Sequence, residues 1–552
     1  MTCPRPRTRL AVILLGALLC GCTGDSEQLQ VTVRLDPYGI APLAAVIEVS
    51  GIDAAAVQRT RFVLAGLDGE DLDQEFDPQD RALQTNFADP QWDAGRTYIP
   101  VLGLYPGHKN RIRVEVTTAD HIYDRELIID TRPLDASLPT IKVIKRDTSR
   151  MEPGWNLAGF SAYNGQLLSR PLIYDHFGRI RWVLLLDQAI SPGHITPFQR
   201  LKNGNLCFGL AGYVYEYNML GREVNRWVLP PDYQQHHDVF EMSSGNLLVA
   251  AYKKGMTIIP ASGPPKKGAT DHVLELERKT GAIVNVWDLR EYLDVDRYTL
   301  IDTSDSTDFF HLNAVVHSAA DDAIIVSGKN QGLVKITRGG AAGDTPNKNK
   351  QLRWILAPHL GWGRGGYDGS GIDLAPYLLT ATDDSGSRLP AAVQDGTQST
   401  AEFDWVYHQH APLLLDNGNL FIFDNGANRG LGHYVGDPYS RGVEFRVVDD
   451  PSGVGGTIRQ VWQYGKERGP DLYDPAISDV DVGSVTGNRF ILPGSYTVGA
   501  DGTTGGAARM VEVTYPKKDV VFEAHIYLKG KEPFGDEICY RQERMTLFPS
   551  PR

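Results

Sequence analysis

From Trp155 onward the chain repeats one unit six times, and this constrains its fold more than any other feature. Each unit reads as a strand, an Asn-Gly type of turn, an apolar strand, a loop, an alternating strand, a glycine turn and a strand ending near a tryptophan. The turns are Asn164-Gly165, Asn203-Gly204, Ser244-Gly245-Asn246, Asp321-Asp322, Asn417-Gly418 and Gly487-Asn488. Tryptophans follow at 182, 227, 287, 354 and 462, and the sixth unit ends on Val520 to His525. A four-stranded sheet of this kind buries its faces only against its neighbours, so the units must close on themselves. The expected fold is all-β, a six-bladed β-propeller over residues 155–552. Irregular spacing marks two insertions, Met256 to Asp271 and Pro358 to Glu402.

Ahead of the repeat, residues 28–145 read as a small N-terminal β-sandwich. Leu29 to Leu35 and Ile112 to Thr117 alternate with period two, as half-buried strands do. Gly103-Leu104-Tyr105-Pro106-Gly107 is a turn between strands, and Arg146 to Gly154 forms the linker.

Residues 1–22 read as an export segment. Arg5, Arg7 and Arg9 precede an apolar run, Leu10 to Leu19, too short to span a bilayer. Leu19-Cys20-Gly21-Cys22 resembles the bacterial lipobox, which predicts an exported, periplasmic chain lipidated at Cys22 and held at a membrane by that anchor alone. Cys207 and Cys539 are too few for a disulfide framework, and Cys207 lies in an apolar strand that favours a buried thiol. A net charge of −13 argues against a nucleic-acid partner.

Histidines recur in register. His237 lies eight residues before Gly245, and His410 lies eight before Gly418. His311 opens the fourth unit in the corresponding place. Equivalent positions on different blades face the axis, so the spacing predicts that His237, His311 and His410 converge. Strand alternation points His236 and Gln409 off the opposite face, and His408 onto the face of His410. The fourth unit adds Asn313, and Lys329 at a hairpin tip. Such a trio serves either as an open three-histidine metal site or as nucleophilic and acid–base machinery acting on an anion. A lysine nearby favours the second use, and neither metal nor other cofactor is expected.

Several motifs carry a resemblance to a known family: Phe310-His311-Leu312-Asn313-Ala314-Val315, Asp321 to Ser327, Phe403-Asp404-Trp405, Gln409-His410, Phe423-Asp424-Asn425-Gly426 with Arg429-Gly430, and Val461 to Lys466 with Arg468-Gly469. In order and content they resemble the bacterial periplasmic, cofactor-independent arylsulfate sulfotransferases, and Gly103 to Gly107 matches that family's N-terminal domain. The resemblance implies a six-bladed propeller that moves a sulfuryl group from an aryl sulfate to a phenol by a ping-pong route. His410 matches the nucleophile that becomes sulfohistidine. His237 and His311 match the histidines that bind sulfuryl oxygens and handle the phenol proton, with Asn313 as a substrate contact. The family has an arginine where this chain has Lys329, and a point charge cannot make the bidentate fork. Some relatives also carry a cysteine pair before Asp404-Trp405 that is missing here, and some form homodimers. Two alternatives remain at this level: a lipid-anchored propeller that binds a ligand without turnover, and a metal-dependent hydrolase.

Overall fold

The computed structural model describes residues 29–77, 87, 89–163, 167–190, 195–260, 264–297, 308–339, 350–495, 507–528 and 538–548. Cys22 and the turn at Asn164-Gly165 lie outside them. The chain forms two compact units, one built mainly of residues up to Pro133 and the other of Leu134 onward. Both are all-β.

The first unit pairs a three-stranded sheet with a four-stranded one. The first sheet holds Gln30–Leu35, Ala45–Ser50 and Thr97–Val101; the second holds Leu72–Phe76, Arg59–Leu64, Lys109–Thr117 and Ile122–Asp130, in those orders. Ile112, Val114 and Val116 are buried while Arg111 and Arg113 point outward, as the alternation predicts. The buried Asn110 closes the Gly103 to Gly107 turn, accepting from Tyr105 N at 2.8 Å and donating to Tyr105 O at 3.0 Å.

Among the described residues the second unit contains six sheets in chain order, antiparallel apart from the pairing of Thr380–Ala381 with Gly456–Tyr464. The second to fourth sheets begin with Thr196–Arg200, Tyr233–Glu241 and Leu312–Ser318; the fifth and sixth begin with His410–Leu414 and Asp479–Val482. The first sheet is completed from far along the chain, where Ile538–Met545 pairs with Trp155–Tyr163. These leading strands touch one another in a closed cycle, with Ile538–Met545 between the sixth and second sheets.

One correction to the domain boundary follows from the pairing. Thr140–Arg146 is the outer strand of the sixth sheet, paired with Val520–Tyr527. The chain therefore enters the second unit before residue 145, where alternation alone had placed the end of the sandwich.

The repeated tryptophans explain the joins. Trp227, Trp287, Trp354 and Trp462 are buried on the fourth strand of their units and donate to the next sheet. Trp227 Nε1 reaches Arg278 O at 3.0 Å and Trp287 Nε1 reaches Thr337 O at 3.2 Å. Trp354 Nε1 reaches Asp449 Oδ1 at 3.0 Å and Trp462 Nε1 reaches Pro516 O at 3.2 Å. Apolar clusters fill the spaces between successive sheets, for example Cys207, Val214 and Trp227 against Val239, Leu247 and Leu274. Burial of each large side chain contributes about 1.5–3 kcal/mol. Cys207 and Cys539 are both buried and are not joined in a disulfide.

Of the two insertions, Met256 to Asp271 is largely a hairpin extension of Leu247–Ile258 and Lys266–Leu276 rather than a separate loop. The other, from Pro358 onward, packs Leu379, Ala381 and Val393 against Phe403 and Trp405.

Candidate functional site

The starts of the leading strands carry the site, and their backbone is irregular in a repeated way. Register shifts fall between Gln235 and Val239, between Leu312 and Ala314, and between His410 and Leu413. His237, His311 and His408 have φ of 62°, 57° and 53°, in the left-handed region that non-glycine residues rarely adopt. Bulges of this kind re-aim side chains and cluster beside active sites. Here they overturn one expectation. His236 does not point away: its ring lies 3.7 Å from that of His237 and 5.2 Å from that of His311, centroid to centroid. Alternation fails because the strand is bulged at that residue.

His237 and His311 meet directly, with Nε2 atoms 3.2 Å apart. His311 Nδ1 lies 2.6 Å from Asp308 Oδ2, so it carries the proton and donates to the carboxylate. Its Nε2 then holds a lone pair, and the 3.2 Å contact requires His237 to donate from Nε2. Tyr252 donates to the other oxygen of Asp308 at 3.4 Å, and its ring stacks on His236. Asp271 accepts the backbone N–H of Leu312 at 3.0 Å. Burial pushes its carboxyl well above the usual range, with Asp308 adding to the rise.

His410 is held differently. Its Nδ1 faces two oxygens, Asn425 Oδ1 at 2.8 Å and His408 O at 3.0 Å. Asn425 is itself oriented by donating from Nδ2 to Asp474 O and Ile477 O, each at 2.8 Å. This fixes the Nδ1–H tautomer and leaves His410 Nε2 unprotonated. Burial pushes the His410 imidazole down to about 3. His237 is likewise pushed well below its ordinary value by burial. Both rings are therefore neutral at pH 7.

The trio converges around one residue that the sequence reading did not single out. Tyr540 stacks flat on His237, with centroids 5.2 Å apart and planes 3° apart, and stands edge-on to His410 at 6.2 Å. Its neighbour Arg541 bridges Asp238 at 3.3 Å and Asp479 at 3.1 Å, and its charge further depresses both His237 and His410. Tyr540 and Arg541 occupy a register shift in Ile538–Met545, a fourth use of a bulge to aim side chains inward.

Asn313 is fully buried and braces two sheets, donating from Nδ2 to Gln409 O at 2.7 Å, while its carbonyl accepts from Tyr540 at 3.2 Å. Gln409 turns away from the trio, donating to Ser327 Oγ at 3.1 Å and Gly328 O at 2.9 Å. Lys329 sits at its hairpin tip and donates its backbone N–H to His311 O at 3.0 Å. With Arg297, His408 and Gln409 it lines a small cavity.

Behind His408 to His410, a buried ion network supports the strand. Arg429 pairs with Asp404 at 2.8 Å and Asp424 at 2.9 Å, Arg441 pairs with Asp424 at 2.8 Å, and Asp424 accepts the Tyr407 N–H at 2.9 Å. Thus Asp404, Asp424 and Arg429, prominent as motif residues, serve as scaffold. Asn425 was quoted within a motif but not as a site residue. Asp308 had only its place three residues before His311 to mark it.

An all-β frame whose histidines hold ring nitrogens beside fixed proton acceptors suits group transfer. The family model described as arylsulfotransferase (ASST) matches residues 140–541, and that of the arylsulfotransferase Ig-like domain matches residues 32–131. The chain belongs to the arylsulfotransferase family and is an aryl sulfotransferase enzyme. It is 26% identical over 575 residues to arylsulfate sulfotransferase AssT of Lelliottia amnigena, covering 90% of each chain. Against AssT of Escherichia coli O6:H1 the identity is 26% over 584 residues, again covering 90% of each. Among solved structures, a Bacteroides caccae protein of unknown function aligns with a TM-score of 0.36 and 13% identity, covering 67% of this chain and 93% of that one.

Proposed function

We propose that this enzyme transfers the sulfuryl group of an aryl sulfate to a phenol by a ping-pong route through a sulfohistidine on His410, with no nucleotide sulfate donor. The observation that carries this is the pair of acceptors on His410 Nδ1, which commits the lone pair to Nε2. In the first half-reaction the Nε2–S bond forms as the S–O bond to the departing phenol breaks. The aryl sulfate is taken by the form in which His311 carries a second proton, on Nε2, and His311 gives that proton to the departing oxygen. In the second half-reaction the acceptor phenol returns a proton to His311 Nε2 as its oxygen attacks sulfur, and the N–S bond breaks back onto His410. Atoms and protons balance over the cycle, and Asp308 offers its negative charge to the imidazolium form of His311. The His237 Nε2–H, directed at His311 in the free enzyme, is a donor available to the sulfuryl oxygens.

Catalysis of this type is mostly positioning and electrostatic stabilisation of spread negative charge. In this reading Lys329 supplies charge near the sulfuryl oxygens, and Asn313 holds the His410 and His311 strands in register. The cyclic contact of the leading strands supports a six-bladed propeller with the histidines at one mouth of its channel. Export and lipidation at Cys22 complete the proposal, which predicts acyl groups on the mature N-terminus.

The test is a brief incubation with 4-nitrophenyl sulfate in the absence of acceptor, followed by mass analysis of the peptide holding His410. One added sulfuryl group is expected there, discharged by phenol. His410→Ala should lose the adduct and on the order of 10⁴-fold or more in turnover. Turnover surviving in that variant rejects the nucleophile.

A further inference from the structure

We propose that His236, His237 and His311 form a divalent transition-metal site, and that zinc bound there blocks sulfuryl transfer. Their ligand nitrogens all lie within 4.8 Å of one another. The closest pair, His237 Nε2 and His311 Nε2, is 3.2 Å apart. Ligand nitrogens around a tetrahedral zinc lie roughly 3.3 Å apart, since Zn–N is about 2.0–2.1 Å. Small rotations of His236 close the set.

Two further observations point to a cation rather than to an anion at this end of the site. A histidine that ligates a metal usually gives its other ring nitrogen to a carboxylate. His311 already does so, with Nδ1 2.6 Å from Asp308. His236 is poised to do so, with Nδ1 3.9 Å from Asp271 Oδ1. Neither of those two atoms makes a hydrogen bond, although Asp271 is 1% exposed. The charge of Arg541 bears on His237 and His410, whereas the carboxyl groups of Asp271 and Asp308 lie beside His236 and His311. The His410 end is thus flanked by a cation and the His236 end by carboxyl groups.

Zinc in this position would occupy the lone pair of His311 and the donor position of His237, both needed for transfer. Three imidazoles leave one coordination position open, which a phenolate or sulfate oxygen could fill without reaching His410. The inhibition rests on the proposed reaction, whereas the metal binding does not.

The experiment uses the whole protein after treatment with a chelator. Cobalt(II) is titrated and its visible absorption recorded; one equivalent in a four- or five-coordinate band is expected, displaced by zinc. His236→Gln should weaken cobalt binding about tenfold or more, and Asp308→Asn roughly 10- to 100-fold. In parallel, nitrophenol release should fall with added zinc and recover with EDTA, and His236→Gln should need more zinc for the same loss. Native mass spectrometry of the wild-type chain reports stoichiometry even where a variant fails to fold. Absence of a cobalt band, or a band unchanged in a folded His236→Gln, overturns the site. Turnover that is lost on chelation and restored by zinc overturns the inhibitory role. A chain that binds cobalt but turns over no aryl sulfate leaves the metal site standing and removes the proposed reaction.

Discussion

His311 and His410 sit at equivalent strand starts, and each is fixed through Nδ1, but the partners differ. His311 faces the carboxylate of Asp308, whereas His410 faces the neutral amide of Asn425 and a backbone carbonyl. Both arrangements choose the tautomer. Only the carboxylate also favours the positively charged ring. A nucleophile must keep its lone pair and a proton carrier must gain and lose one, so the same geometry with different partner charge gives two roles. His410 is also the deeper of the two, 3% exposed, while His311 is half-buried.

Of the two partner exchanges, the one behind His311 should cost more. Asp308→Asn keeps the shape but removes the charge, and phenol-dependent turnover is expected to fall about 10²–10⁴-fold. The sulfuryl adduct on His410 should still form with 4-nitrophenyl sulfate, whose leaving group needs little protonation. Stopped-flow separation of the two half-reactions checks this. An equal loss in both would show that Asp308 serves folding rather than proton transfer.

Making the His410 half resemble the other should cost less. Asn425→Asp places a carboxylate beside Nδ1, which favours the imidazolium. The acid limb of the pH profile for adduct formation is expected to move up by about 1–3 pH units. A profile that stays in place would mean that solvent screens the new charge.

The smallest effect is on stability. His410 is pushed down to about 3 in the folded chain from an unfolded value of 6.5. Between those values the unfolded chain binds a proton that the native one does not. Stability from this group is therefore complete above pH 6.5 and falls by about 1.4 kcal/mol per pH unit as the solution is acidified towards pH 3. Urea midpoints measured across that window should fall less steeply in His410→Gln than in the wild type.

Much of this was legible in the chain. The eight-residue spacing of His237 and His410 from their turn glycines placed both in one cluster with His311. The tryptophans that end the first five units marked strands that join one sheet to the next, because such a strand must be both apolar and able to bond across the seam. What failed was the period-two rule at bulges. It sent His236 to the wrong face and gave no hint of Tyr540 and Arg541, which approach from the distant end of the chain. Asp308 was hidden because it lies in no strand, and Asn425 because a motif shows that a residue matters without showing what it touches. Thr140–Arg146 misled for a simpler reason: an exposed alternating strand looks the same whichever sheet it joins.

The pairing of Ile538–Met545 with Trp155–Tyr163 has a kinetic consequence. It joins residues far apart in sequence, 388 positions in the bond from Arg544 to Asn156. Contacts of such separation are slow to form, and a strand held by them can open locally without melting the rest. The same strand carries Tyr540 against His237 and His410. A molecule unzipped at this seam would keep nearly all its sheets and yet be inert, so activity reports on one closure event rather than on overall foldedness. Hydrogen exchange at Cys539 to Gln542 should therefore track the rate at which the enzyme falls silent on mild heating.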